Sequence, residues 1–251
     1  MKKIGRNSVN SVSLAVTLAM GLVAAPQAIA QQMTTRIWDI PFGTPASELP
    51  VDFRMPACGT HGGPPSTPLK SFEEFNRCRP EPDSGLREVW FSYDDEREYY
   101  LRAVHADPAV IARYRANQML DHLVVYSLLF DKEGRVQGYR IATDPREDPT
   151  IRIDADMVAN GVQAMLPYGG DGWDCTELPP RDGQQPYGGI YENVVCDKTA
   201  NGVHVTITQH KFLRAGQQAA GRGGAPLADE FESGTWVEAI NASLLDKTPR
   251  Q

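Results

Sequence analysis

The sequence predicts an α+β fold in which hairpins build an antiparallel sheet, a few short helices pack on one face of it, and disulfides stabilise it. Two observations predict this class. Apolar residues alternate in several segments between residues 86 and 240, as in half-buried strands, and short segments with helical spacing lie between them. Four cysteines fall into two local pairs, which is typical of an exported domain held by disulfides.

Residues 1–30 are predicted to be a signal peptide. Three basic residues occupy the first six positions, an apolar stretch runs from Val12 to Ala25, and Ala28–Ala30 supplies small residues at the cleavage positions. Fourteen helical residues would span about 21 Å, less than the hydrocarbon core of about 30 Å. We therefore expect a single secreted domain over 31–251, located in the periplasm or outside the cell. A retained membrane anchor is the alternative.

The charge of the chain argues against nucleic acid and anionic membranes as partners. The full chain carries 25 basic and 32 acidic residues, a net charge of −7, and removal of Lys2, Lys3 and Arg6 changes it to −10. Both kinds of partner require a positively charged surface. The sequence also lacks a P-loop, a G-x-G-x-x-G turn and an H-E-x-x-H helix. We therefore expect no cofactor and no metal. No stretch after residue 30 approaches a membrane span in length and hydropathy.

The first part of the mature chain, 31–85, is predicted to be rich in loops. Residues 33–50 are typical of a short strand, a glycine turn and one helical turn, with Thr44 as the cap and Pro45 in the first helical position. After a stretch rich in Gly and Pro, residues 69–78 are predicted to form a short helix with three apolar residues on one face. The helix ends at a cysteine, which should tie it to the preceding loop.

Two strand pairs are predicted in the middle of the chain. In the first, apolar and polar residues alternate over 87–93 and again over 99–103, on either side of the acidic turn Asp94–Glu98. That turn is interpreted as solvated rather than as a calcium site, because no EF-hand loop pattern is present. A helix beginning at Pro108 follows. The second strand pair is predicted to turn at Asp131–Gly134.

The remaining elements are predicted from four further segments. A helix capped by Asp154 carries apolar residues at helical spacing as far as Leu166. A third strand pair then ends in Val203–Phe212, and a last strand covers Thr235–Ile240. The segment 214–231 between these strands is rich in Gly and Ala and is predicted to be flexible.

The cysteines are expected to pair locally, Cys58 with Cys78 and Cys175 with Cys196. The partners lie 20 and 21 residues apart in sequence. A disulfide that closes a loop of this size contributes about 3 kcal/mol in the chain-entropy model. The alternative is a metal site, but neither pair has the C-x-x-C spacing that brings two thiolates to one ion.

The tetrapeptide Pro-Tyr-Gly-Gly occurs twice, at 167–170 and at 186–189, each time shortly before a cysteine. Gly-Gly favours tight turns, because glycine adopts positive φ without strain. Aromatic rings on a loop closed by a disulfide lose little entropy on binding, so they predict a contact surface for sugar rings or apolar peptide groups. The alternative is that the rings pack on the sheet as a lid. The candidate ligand-binding residues are Tyr168, Trp173, Tyr187 and Tyr191.

Residues capable of acid–base chemistry were considered for an enzyme site. Asp171, Asp174 and His210 are the candidate catalytic residues, as carboxylates or a histidine near the same loop. The segment Thr60–Gly63 contains His-Gly-Gly and resembles the loop that forms the oxyanion hole of some esterases. The G-x-S-x-G elbow of those enzymes is absent, so we interpret the segment as a turn. His204 and His210 lie about 20 Å apart along one strand and cannot share a metal ion.

These observations favour a non-enzymatic binding or accessory protein of the bacterial periplasm. Its expected partner is an envelope protein or cell-wall glycan, contacted through the aromatic loop that Cys175 and Cys196 close. A hydrolase of envelope material, acting near the same loop, is the alternative.

Overall fold

The computed structural model describes residues 35–112, 115–167, 169–217 and 231–247. Nine strands in this part of the chain form one antiparallel sheet. The strands are β1 Phe53–Cys58, β2 Arg87–Tyr93, β3 Gln118–Met119, β4 His122–Phe130, β5 Val136–Thr143, β6 Asp174–Glu177, β7 Glu192–Ala200, β8 Val203–Phe212 and β9 Glu232–Asn241. Their spatial order is β1-β2-β4-β5-β9-β8-β7-β6, and β3 pairs with β4 at one side of this path.

One face of the sheet carries the hydrophobic core. Successive side chains of a strand point to opposite faces, so register partners on neighbouring strands share a face. Val89, Leu128, Tyr139, Ala239 and Val205 form such a row across β2, β4, β5, β9 and β8. All five are almost inaccessible to solvent. We call this side the core face.

The opposite face, which we call the polar face, carries polar and charged side chains. Ser127, Arg140, Glu238, Thr206 and Asp197 are register partners across β4, β5, β9, β8 and β7. Their row alternates with the apolar row of the core face, which is the period-two pattern that strands bearing one apolar face require. Arg140 is nevertheless buried, so something covers this part of the polar face.

The loop that follows β1 supplies that cover. The imidazole of His61 lies 4.4 Å from the indole of Trp236 on β9, measured between ring centroids. The next residue, Gly62, has φ +78°, and a Cβ atom there would lie 2.2 Å from a ring carbon of Trp236. Both the backbone conformation and the close approach therefore require glycine at this position.

The hairpin formed by β4 and β5 confirms the turn predicted at Asp131–Gly134. The carboxylate of Asp131 accepts hydrogen bonds from the backbone N–H groups of Glu133, at 3.0 Å, and Arg135, at 2.9 Å. An Asp at the start of a turn commonly binds backbone groups in this way. The strands β7 and β8 likewise form a hairpin, through a turn at residues 201–202.

Four α-helices accompany the sheet in the described residues: α1 Glu96–Ala103, α2 Pro108–Ala112, α3 Pro149–Arg152 and α4 Val158–Met165. The first of these overturns the prediction of a strand over 99–103. Asp94 accepts a hydrogen bond from the backbone N–H of Glu96, at 3.1 Å, and Glu98 pairs with Arg102 one turn later, at 2.6 Å. The first bond is an Asx turn that leads into the helix and the second an i,i+4 pair that stabilises it; together they outweigh the period-two pattern of the apolar residues.

The start of the described chain also differs from its prediction. Residues Ile37–Asp39 form a short 3-10 helix rather than a strand, and Ile37 is fully buried. A second 3-10 turn, Ala46–Glu48, is present as predicted, but the hydroxyl of Thr44 donates to the carbonyl of Pro41 and does not cap it. Further 3-10 helices cover Phe72–Arg77, Ala155–Met157 and Ala242–Lys247.

Hydrogen bonds from β9 hold the helical segment before α4. The hydroxyl of Thr235 donates to the carbonyl oxygens of Ala155, at 2.9 Å, and Asp156, at 3.1 Å. Val158 and Val162 of α4 are buried with the residues of the core face. That all the helices share one face of the sheet stays a prediction. The helices of the described residues all fall short of the length and hydropathy that a membrane crossing requires.

Both predicted disulfides are present, Cys58–Cys78 and Cys175–Cys196. The first joins the end of β1 to the residue after the 3-10 helix Phe72–Arg77, as expected from the sequence. The second joins β6 to β7 between two residues that face each other in the sheet register. Most of the segment 214–231, which is predicted to be flexible, lies outside the described residues. The predicted signal peptide 1–30 and Tyr168 lie outside them as well.

Candidate functional site

A groove with a volume of about 450 Å³ lies on the polar face at the β7–β8 end of the sheet. Its base is formed by alternate side chains of β7 and β8, and one wall is formed by the loop 178–191. The side chains that line it are mostly polar but include an aromatic ring. They are Leu178, Arg181, Gln184, Asn193, Val195, Thr208, His210, Phe212, Arg214 and Glu232.

Backbone hydrogen bonds hold the wall of the groove in place. The N–H of Leu178 donates to the carbonyl of Asn193, at 2.7 Å. Gln185 and Leu213 exchange two hydrogen bonds, at 2.8 and 2.7 Å. The loop is therefore attached to β7 at its start and to the end of β8 in its middle, and the Cys175–Cys196 disulfide closes it behind β6. A wall held at several points binds a ligand with a small loss of conformational entropy.

His210 is the histidine among the residues that line the groove. Its Nε2 lies 3.9 Å from a carboxylate oxygen of Glu232, which also forms an ion pair with Arg214. Burial lowers the pKa of His210 below its ordinary value of 6.5, and it outweighs the opposite effect of Glu232. His210 is therefore uncharged at neutral pH and can accept a hydrogen bond through one ring nitrogen.

The replacement His210→Gln is expected to flatten the dependence of stability on pH below neutrality. Because the pKa of His210 is lower in the folded state than in the unfolded state, the unfolded state binds the proton more readily, and stability falls as the pH drops below 6.5. Glutamine does not titrate. Denaturant unfolding at pH 7.0 and 5.5 measures the effect, and equal losses in the wild type and the variant would contradict it.

Two of the predicted ligand-binding tyrosines lie at the groove end of the loop. Tyr191 stacks on Phe212 with ring centroids 5.7 Å apart, and its hydroxyl donates to the side-chain oxygen of Gln184, at 2.9 Å. It thus orients a residue of the groove wall. Tyr187 stacks on Phe231 at 5.1 Å and is half-buried. Both rings therefore pack against the protein while keeping part of their surface accessible.

Trp173 lies at the other end of β7. Its ring is half-buried against the hydrophobic core, and the ammonium of Lys198 lies 5.4 Å from the ring centroid. The same ammonium donates to three carbonyls of residues 169–171, at 3.0, 3.3 and 2.7 Å, and so holds the first Gly-Gly turn. The structure therefore does not bring Trp173 together with Tyr187 and Tyr191. Whether any of these residues binds a ligand stays a prediction.

The candidate catalytic aspartates do not lie in the groove with His210. Asp171 and Asp174 are both exposed, and neither lines the groove. Asp174 is paired in register through Asp197 to Thr206, four residues before His210 on β8. Four strand residues correspond to about 13 Å. The carboxylate of Asp174 is therefore too far from His210 to act with it on one bond, whereas Glu232 lies beside it.

The polar face also carries a second group of charged residues, which the sequence did not predict. Arg140 forms ion pairs with Glu81 and Glu88, the latter at 3.3 Å, and with Glu238 at 2.5 Å. Its guanidinium lies 5.4 Å from the ring centroid of Trp236. Arg140 is only 4% exposed and Glu88 only 5%. We call these residues, together with His61, the carboxylate cluster.

The electrostatics of the carboxylate cluster follow from its geometry. Burial alone would raise the pKa of Glu81, but the hydrogen bond and charge of Arg140 outweigh it and hold the pKa below its ordinary value. Burial alone would likewise lower the pKa of Arg140, but Glu81, Glu238 and Glu88 raise it. The sequence offered one signal for the cluster: His61 follows Cys58 by three residues, and Glu81 follows Cys78 by three.

The groove and the carboxylate cluster are neighbours on the polar face. Trp236, which packs against His61 and Arg140, is the register partner of Thr208 in the groove. Both sites are built on strands, with loops as walls, which fixes their side chains more closely than loops alone would. Comparison with protein-family models, with curated proteins and with solved structures finds no match to this chain.

Proposed function

We propose that the protein is an exported, non-enzymatic α+β binding protein of the bacterial envelope that contacts cell-wall glycan through the groove on β7 and β8. One observation carries the proposal. The groove presents amide, hydroxyl, imidazole and guanidinium groups side by side. Sugars offer hydroxyl groups that donate and accept hydrogen bonds with such groups.

The geometry of the wall supports a glycan rather than an apolar ligand. Gln184 is oriented by two hydrogen bonds to its side-chain oxygen, from the hydroxyl of Tyr191 and from the backbone N–H of Arg181, each 2.9 Å long. The amide nitrogen of Gln184 is a donor suited to a hydroxyl of a ligand. Asn193 and Thr208 add polar groups from the base. A polar site with preset side chains suits a hydroxylated ligand better than an apolar peptide anchor.

Export is part of the proposal, and the disulfides support it. Cys58–Cys78 and Cys175–Cys196 use all four cysteines of the chain. Disulfides persist in oxidising compartments such as the periplasm and are rare in the cytosol. The predicted signal peptide 1–30 agrees with this location. An envelope protein is the second expected partner, and Tyr187 and Trp173 remain proposed contacts for it.

The proposal predicts that purified cell-wall sacculi sediment the protein and that Gln184→Ala and Asn193→Ala each weaken this binding roughly fivefold. One lost hydrogen bond is worth about 1 kcal/mol, which corresponds to that factor. Gln184→Ala also loses the two hydrogen bonds from Arg181 and Tyr191, but the backbone bonds of Leu178 and Gln185 still hold the loop, so both variants should fold. Co-sedimentation over a series of sacculus concentrations measures the apparent affinity. Asn76→Ala, an exposed amide on the 3-10 helix beside β1 and β2, is the matched control.

Two results would contradict the proposal. If the groove variants and Asn76→Ala bind sacculi as the wild type does, the groove is not the contact surface. If the wild type instead releases soluble glycan from the sacculi, and His210→Gln abolishes this release, the protein is a hydrolase. The specific observation that favours this second candidate is the uncharged His210 beside Glu232, an arrangement that can act as a general base.

A further inference from the structure

We infer that the carboxylate cluster is a binding site for one divalent transition-metal ion of the zinc type, held by His61, Glu81 and Glu88. Each residue offers one ligand atom, and these three atoms lie within 4.8 Å of one another. Ligand atoms around a tetrahedral zinc ion lie about 3.3 Å apart. The three atoms would therefore have to approach one another by up to about 1.5 Å to bind one ion.

The Cys58–Cys78 disulfide holds two of the ligands near each other. His61 lies three residues after one half-cystine and Glu81 three residues after the other. The third ligand, Glu88, precedes Val89, which is the register partner of Cys58 across β1 and β2. The backbone N–H of His61 also donates to a carboxylate oxygen of Glu88, at 2.7 Å. The disulfide and the strand pairing therefore bring these residues together before any ion binds, as a metal site requires.

The charge of the cluster calls for a cation. Arg140 supplies one positive charge to three carboxylates, those of Glu81, Glu88 and Glu238, so within the described residues these ion pairs leave two negative charges unbalanced. Glu88 is the most deeply buried of these carboxylates, and a buried charge is costly unless it is paired. Its Oε1 atom has no hydrogen-bond partner in the described part of the chain. A divalent ion would balance the charge and occupy an unused acceptor.

The ligand types select the class of metal. Imidazole and carboxylate together suit zinc and similar ions, whereas calcium takes six to eight oxygen ligands and magnesium keeps most of its water. Three protein ligands leave the fourth position of a tetrahedral ion open to water. Arg140 donates to both oxygens of Glu81, and Ser84 donates to one of them at 2.8 Å. These bonds orient the carboxylate of Glu81. Because Arg140 also pairs with Glu88, at 3.3 Å, a bound ion would share both carboxylates with the guanidinium.

Equilibrium dialysis of the disulfide-bonded protein against ZnCl2, followed by metal analysis, tests this inference. We expect one zinc ion per chain in the wild type. His61→Asn should weaken binding by at least about tenfold, since even an outer-shell partner changes metal affinity by that much. Asparagine accepts the positive φ of 58° at this position, and His61 is exposed, so this variant keeps the fold. Glu88→Gln should weaken binding by a similar factor.

His204→Asn is the matched control, because His204 also faces a carboxylate, that of Asp197 at 3.3 Å, but lies on β8 away from the cluster. It should bind zinc as the wild type does. The inference is overturned if the wild type binds no zinc, if His61→Asn binds it with unchanged affinity, or if His204→Asn is the variant that loses it. Since the groove variants do not touch these residues, zinc binding and sacculus binding succeed or fail independently.

Discussion

Replacing Arg140 with methionine is expected to lower the free energy of unfolding by about 3–5 kcal/mol. The guanidinium is 4% exposed and is the cation that Glu81, Glu88 and Glu238 share. Methionine has a similar length but no charge. The variant would leave three neighbouring carboxylates with no countercharge from Arg140, and the loss of one partner from a buried ion pair is strongly destabilising. Urea unfolding at pH 7 measures the difference.

Arg54→Met is the matched control for this replacement. Arg54 forms an ion pair with Asp94 at 3.0 Å, but its side chain is 56% exposed. Exposed pairs contribute less than about 1 kcal/mol, because water screens both charges. If Arg140→Met costs no more than Arg54→Met, the carboxylate cluster is not stabilised by Arg140 as we argue.

The loss of unfolding free energy caused by Arg140→Met should become smaller as the pH falls from 7 towards 4. In the wild type the pKa of Glu81 lies below its ordinary value of 4.5, so its contribution to stability is present above that value and is lost as the pH falls through the lowered pKa. In the variant Glu81 has no arginine beside it and takes up a proton more readily, which relieves its repulsion by the neighbouring carboxylates. A cost that stays constant over this range would show that lost packing, not charge, causes the destabilisation.

Removal of the Cys58–Cys78 disulfide, by replacing both residues with alanine, is expected to cost about 3 kcal/mol or more. The bridge spans 20 residues, and closing a loop of that size reduces the entropy of the unfolded chain by about this amount in the chain-entropy model. Cys58 is 7% exposed and Cys78 2%. The missing sulfur atoms would therefore also leave a small cavity, which adds to the loss.

The pair Cys175 and Cys196 provides the comparison. Its bridge spans 21 residues, so the entropic part should be the same, but Cys175 is exposed and its loss leaves less of a cavity. The variant without Cys58 and Cys78 should therefore be the less stable of the two, as measured by urea unfolding of both proteins under oxidising conditions. The reverse order would mean that packing around the first disulfide contributes little.

Elements with strong local signals were predictable from the sequence. The β4–β5 hairpin follows from alternating apolar residues on both sides of the turn Asp131–Gly134, where the Asp side chain itself closes the turn. The helix over Val158–Met165 follows from its apolar spacing. The disulfide pairs follow from short sequence separations, because loop closure favours near partners. Each of these features depends on residues that are close in sequence.

The errors arose where a local pattern competed with contacts from elsewhere. The alternation over 99–103 predicts a strand, but Glu98, on the turn before it, is buried and accepts a hydrogen bond from the backbone N–H of Ala116, at 3.2 Å. That contact, with a residue 18 positions away, adds to the local pair of Glu98 with Arg102 that favours a helix. Ile37 likewise lies in a 3-10 turn whose burial depends on the sheet beneath it.

In the candidate sites, too, the features that depend on neighbouring residues were predicted and those that depend on distant contacts were not. The loop between Cys175 and Cys196 and its aromatic residues were identified from the sequence, as was His210. The groove was not, because its lining comes from four separate segments of the chain that meet only when β7, β8 and β9 pair. The carboxylate cluster was missed for the same reason.

The sequence by itself determined the disulfide pairs, the turn at Asp131–Gly134 and most of the strands of this protein, since these follow from side-chain periodicity and from neighbours a few residues away. Only the tertiary structure decided which polar residues meet. Arg140 lies 59 residues from Glu81 and 98 from Glu238. Their contact depends on the strand order and on the register, in which a shift of one residue would turn Arg140 into the core. Those quantities are set by the burial of the whole sheet, and no local pattern encodes them.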